Sequence, residues 1–135
     1  MKVKGIYTTV QDAISANSLI KSDEYADYIN PLDYDFYINK EQEYQVVGAV
    51  QRKNTIWLYI LDDENLLIVP SVLFEWTNED SSSYIFYIDD NEQSLGVIIK
   101  ELADIDYWFE RYINEDDQVI DIINSKFRWF SIHLT

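Results

Sequence analysis

Chemistry needs particular side chains at particular spacings, and in this sequence the only abundant candidates are carboxylates. Cysteine is absent, which removes disulfides, thiolate nucleophiles and Cys-ligated metals. The single histidine, His133, stands third from the last position, and no spaced serine or acid marks a nucleophile–base pair around it. Flanked by Ile132 and Leu134, it reads as a sheet residue rather than a base. The three glycines, Gly5, Gly48 and Gly96, are too scattered for a GxGxxG or GxxxxGK phosphate cradle.

The carboxylates fail the specific tests for catalysis and metal binding. Asp62-Asp63-Glu64 and Asp89-Asp90 offer oxygen ligands for a hard cation. A calcium loop starting at Asp89 has Asn91 and Gln93 at alternate positions. It has Ser94, however, where glycine is required, and Lys100 where the bidentate glutamate belongs. A glycosidase-like acid pair needs one carboxyl raised by burial, whereas acids in turn segments are expected to be wet. No catalytic residue, metal site or cofactor is therefore expected.

What stands out is acids interleaved with large aromatics. Asp33-Tyr34-Asp35-Phe36-Tyr37 is one such stretch, Asp104-Ile105-Asp106-Tyr107-Trp108-Phe109-Glu110 another, and Glu75-Trp76 a third. Tyrosine and tryptophan give interfaces large contact areas with few rotatable bonds. Neighbouring carboxylates orient a partner's lysines and arginines. Any one of these rings gains most by joining the core. With 11 Tyr, 4 Trp and 6 Phe in 135 residues, the set is too large for the core alone, and some aromatic surface is expected. The expected partner-binding residues are Asp33, Tyr34, Asp35, Tyr37, Asp104, Asp106, Tyr107, Trp108 and Glu110.

The charge balance bounds the partner. Asp and Glu number 25 against 10 Lys and Arg, a net charge of −15, and no basic residue occurs between Asn54 and Ile99. Such a field repels phosphate backbones, which argues against direct nucleic-acid binding, and it speeds association with a basic protein. No apolar stretch behind Met1-Lys2-Val3-Lys4 resembles a signal peptide, and no run approaches the roughly 20 residues of a membrane span. A cytoplasmic protein without membrane contact is the expectation.

The elements that must position these residues centre on Tyr44–Trp76. β-Branched and aromatic runs cut by short polar or Pro sites predict consecutive strands over 44–52, 55–61, 66–69 and 71–76. Thr55–Leu61 is apolar on both alternating faces, which marks an internal strand and an unpromising binding surface. Before this meander, Lys2–Thr8 reads as an edge-like strand. Thr8 or Thr9 caps a helix from Val10 to near Ser22. Asn30-Pro31 stops a second turn begun at Asp23 and Glu24, and alternation predicts a strand over Tyr34–Ile38. After the meander comes a strand at Tyr84–Ile88. Leu95, Ile98, Ile99, Leu102 and Ile105 then carry helical spacing, although Gly96 and the Val97–Ile99 run fit a strand instead. Trp108, Phe109 and Tyr112 continue a helical stripe. Asp116 or Asp117 caps a last helix with Val119, Ile122 and Ile123, and Lys126–Leu134 alternates as a terminal strand. The fold predicted is one α+β domain over residues 1–135, a mainly antiparallel sheet of five to seven strands with helices from both ends packed on it.

A small, cysteine-free, strongly acidic chain rich in Tyr and Trp, with this α+β pattern, resembles the immunity proteins of bacterial polymorphic-toxin and contact-dependent inhibition systems. The resemblance lies in general character along the whole chain and carries no motif. It implies a stoichiometric inhibitor that binds a cognate toxin domain, often a basic nuclease. Three other readings make distinct demands. A nucleic-acid mimic such as an anti-restriction protein needs acids in a row spaced like phosphates. A carboxylate-based hydrolase needs two close, partly buried acids in a pocket. An adaptor or structural subunit needs a self-complementary apolar patch.

Overall fold

Strand β3 (Thr55–Leu61) carries the longest buried run among the described residues, and its neighbours on both sides explain why. The computed structural model describes residues 1–63 and 65–127. β3 pairs antiparallel with β2 (Glu43–Arg52) across the Lys53-Asn54 turn and with β4 (Leu66–Pro70) on its other side. Lys53 takes the left-handed backbone that the tight turn requires. Trp57, Tyr59 and Leu61 point to one side of β3, Leu58 and Ile60 to the other, and all five are buried. Both faces are thus covered over this length, as the apolar run predicts.

The path β4-β3-β2-β1-β5 forms the body of the sheet, with β1 (Lys2–Gly5) between β2 and β5 (Phe74–Asn78). β1 is therefore internal and not an edge: Val3 faces Tyr44 on one side and Trp76 on the other. The two ends of this path, β4 and β5, are joined only by the 3-10 turn Ser71–Leu73, so the sheet must curl strongly to bring them together. That turn occupies the first half of the strand expected over 71–76. Pro70, with its fixed φ and no N–H, ends the ladder there.

A second branch leaves β2 at a bulge between Val46 and Gly48. Beyond it, Gly48–Val50 pair with β7 (Ser94–Ile99), which in turn pairs with β6 (Tyr84–Asp89). β7 replaces the first half of the helical stripe expected over 95–105. A β-carbon on Gly96 would sit 2.5 Å from the Ala49 carbonyl oxygen, and one on Gly48 2.6 Å from that of Val97. The two glycines let the strands approach, and the sheet contact overrides the helical spacing. Only Lys100–Ala103 is helical (α2), with buried Leu102.

The remaining helices contribute to the same buried core as the sheet. α1 (Val10–Ala16) starts at Thr9, whose hydroxyl accepts the Asp12 N–H at 3.0 Å. It ends at Asn17, well short of Ser22, and leaves Leu19 exposed. A 3-10 turn at Ser22–Glu24 follows, and the Asn30-Pro31 bond is cis. α3 (Trp108–Ile113) buries Trp108 and Tyr112. α4 (Asp117–Phe127) begins after Asp116, whose Oδ1 accepts the N–H groups of Gln118 and Val119. Lys126 and Phe127 belong to this helix. The rest of the expected terminal strand, and His133, lie outside the described residues. Seven antiparallel strands and four helices among the described residues make the fold α+β, as expected.

Candidate functional site

The first acidic aromatic stretch is a shaped loop and not the expected strand. Asp35 Oδ1 accepts the N–H of Tyr37 at 2.6 Å, and Tyr37 adopts a left-handed backbone. This side-chain-closed turn competes with the extended conformation that alternation suggested. Phe36 anchors the loop, its ring 6.3 Å from Trp57 in edge contact and its N–H bonded to the Thr8 carbonyl at 2.9 Å. Tyr34 leans edge-on against Phe36 at 4.9 Å. The flanking rings point outward: Tyr34 is 54% and Tyr37 81% exposed. Asp33 and Asp35 are exposed beside them.

The second stretch turns on Tyr107, also left-handed, whose N–H donates to Asp90 Oδ2 at 2.7 Å. That bond ties the stretch to the β6–β7 turn. Asp104, Asp106 and Glu110 are exposed, and Tyr107 is 50% exposed. Trp108 is not part of this surface. At 3% exposure, its ring lies 4.8 Å from Tyr59 and its Nε1–H reaches the Tyr87 hydroxyl at 3.3 Å. Its large area makes it the wedge that docks α3 on the sheet.

The sheet brings the two stretches to one side. Trp57 and Tyr59 share a face of β3, and Phe36 covers the first while Trp108 and Phe109 cover the second. Arg52 lies between the stretches, its guanidinium 4.4 Å from the Trp57 ring and 5.1 Å from that of Tyr28. The same group pairs with Glu92 at 2.6 Å, so this cation is consumed internally. A cleft lined by Asn91, Glu92, Phe109, Glu110 and Ile113 adjoins it. None of Asp33, Asp35, Asp104, Asp106 or Glu110 has an ion-pair partner among the described residues.

Further acids extend the surface. Tyr37 shares a cleft with Asp62 and Asp63, and Asp90 stands behind Tyr107. Their acidity and turn position are plain in the sequence, but only tertiary packing sets them beside the tyrosines. Asp89 departs from the expectation that turn acids are wet. It is buried, its Oδ2 accepting from Tyr59 at 2.8 Å and Tyr87 at 2.5 Å, its Oδ1 from the N–H groups of Asn91 and Glu92. Every lone pair has a donor, so Asp89 locks the β6–β7 turn onto β3. Burial first, and the Asp89 carboxylate with it, raises the Tyr59 and Tyr87 hydroxyls well above the usual phenol value.

Among the described residues, no group of three or more His, Asp or Glu is placed to hold a metal ion, and no helix is long and apolar enough to cross a membrane. Comparison with family models, curated proteins and solved structures finds no match to this chain.

Proposed function

We propose that this chain is a non-enzymatic, stoichiometric binding protein for a basic protein, and that it neutralises a bacterial toxin domain as an immunity protein does. The observation that carries the reading is the pair of acidic, tyrosine-bearing loops on one side of β3, with carboxylates that no described cation neutralises. Tyr34, Tyr37 and Tyr107 supply contact area, held in place by the turns of Asp35 and Asp90. Asp33, Asp35, Asp104, Asp106 and Glu110 supply the complementary charge and steer the encounter. A basic nuclease fits this surface, because its own phosphate-binding cations would meet these carboxylates. The work is done in the cytoplasm and needs no cofactor.

Changing Asp104→Lys together with Asp106→Lys tests the reading by stopped-flow association with the cognate partner. The expected outcome is association slowed on the order of tenfold at low salt, with a flatter salt dependence. Unchanged kinetics with a verified partner would place the binding site elsewhere.

A further inference from the structure

An exposed apolar region lies on the opposite side of the sheet from the acidic surface. Ile56 shares the side of Leu58 and Ile60 but is 46% exposed, with Phe86 at 74%, Ile88 at 63% and Leu95 at 50%. Strand register aligns Phe86 with Val97 and Ala49, and Ile88 with Leu95, so these residues form one continuous apolar shelf. The shelf reaches the outer edge of β6, which pairs with β7 on one side and with no described strand on the other. The Lys100 N–H bonds the Ser83 carbonyl at 3.1 Å, which fixes the phase of the ladder. By the alternation of antiparallel pairing, the N–H and C=O groups of Phe86 and Ile88 then face the open edge.

Other sheet edges carry protection that β6 lacks. β4 ends in Pro70, and its Leu66 N–H is taken by the Tyr112 hydroxyl at 3.0 Å. β5 carries Glu75. Tyr84–Ile88 has no charge at all, and Asp89 turns its carboxylate inward to Tyr59 and Tyr87. An uncharged edge of high β-propensity is a ready template for another strand. On a chain with a net charge of −15, it is also a place where two copies meet without opposing like charges.

We propose that β6 pairs antiparallel with β6 of a second copy, forming a two-fold dimer centred on Phe86. Phe86 would exchange both backbone hydrogen bonds with the partner's Phe86, and Ile88 N–H would donate to the carbonyl of the partner's Tyr84. The segment is self-complementary: Tyr84 faces the partner's Ile88, Ile85 the partner's Tyr87, and the two shelves join into one. The acidic loops on the other side of β3 stay free in each protomer.

Sedimentation equilibrium of the full chain across protein and salt concentration tests the pairing. The dimer should tighten with salt, since screening relieves repulsion between the two net charges, whereas binding of a basic partner should weaken. Failure of either reading is therefore visible without the other. Phe86→Lys sets like charges opposite each other at the axis and should weaken the dimer at least about tenfold. Ile56→Lys, on the shelf but away from the edge, should change it by less than about threefold. Amide exchange at Phe86 and Ile88 should slow as the dimer forms. A wild-type monomer throughout would overturn the proposal and mean that the edge serves a different strand. A Phe86→Lys dimer as tight as wild type would overturn it too. Equal losses from both variants would point to face-to-face packing of the shelves instead.

Discussion

Tyr107 and Trp108 are adjacent aromatics in one acidic stretch, yet one faces solvent and the other fills the interior. The sequence marks both as anchors because nothing in their composition separates them. The separation comes from the left-handed turn at Tyr107, fixed by Asp90 from 17 residues away, which aims the next ring at Tyr59. Trp108→Ala should therefore cost about 3–5 kcal/mol in urea unfolding, as a truncation in a packed core. Tyr34→Ala and Tyr37→Ala should change stability by no more than about 0.5 kcal/mol, because those rings project outward. The Tyr84 hydroxyl donates to the Val46 carbonyl at 2.5 Å and accepts from the Met1 amine at 3.0 Å, and burial pushes it up to about 12 from the usual 10.0. The unfolded chain releases this proton near pH 10 and the folded chain near 12. Stability from this group is thus full below pH 10 and lost as pH rises toward 12, with Tyr59 and Tyr87 adding to the same decline. Tyr84→Phe should flatten the alkaline limb of a stability–pH curve.

At the level of elements, strands dense in β-branched and aromatic residues were legible and those set by partners were not. The β3 run and the β6 run read correctly because their β-branched and aromatic residues agree with their place in the sheet. The internal position of β1 was hidden, since a strand of four residues carries no sign of how many neighbours it has. β7 was ambiguous because Leu95, Ile98 and Ile99 satisfy a helical period while Gly96 speaks for a strand. The deciding contact is long-range: Gly96 lies against Val50, and a β-carbon there would also come within 3.0 Å of the Tyr87 ring. Gly96→Ala should accordingly destabilise the fold by about 1–3 kcal/mol through overpacking, measurable as a lowered urea midpoint at unchanged m-value. The strand expected over Tyr34–Ile38 failed for a local reason, the Asp35 side chain closing a turn onto Tyr37. That same closure holds Tyr37 outward, so the misread element is also part of the candidate surface.

Across the whole molecule, charge and apolar surface are sorted to different sides. The acidic tyrosine loops lie over the Trp57–Tyr59 side, and the uncharged shelf ending at β6 lies on the other. The excess of acids and aromatics was readable from composition alone. Their division between two faces was not, because it depends on β2 forking into two branches at its bulge. The division predicts two associations with opposite responses to salt, one to a basic protein and one between copies. The acidic surface is tested most directly by the affinity of the full chain for the proposed basic partner, measured by calorimetry from low to high ionic strength. The affinity should fall steeply with salt, and the slope should shrink when Asp33, Asp35, Asp104 and Asp106 are changed together to Asn. An affinity indifferent to salt, or a quadruple variant that binds like wild type, would contradict a role for these carboxylates.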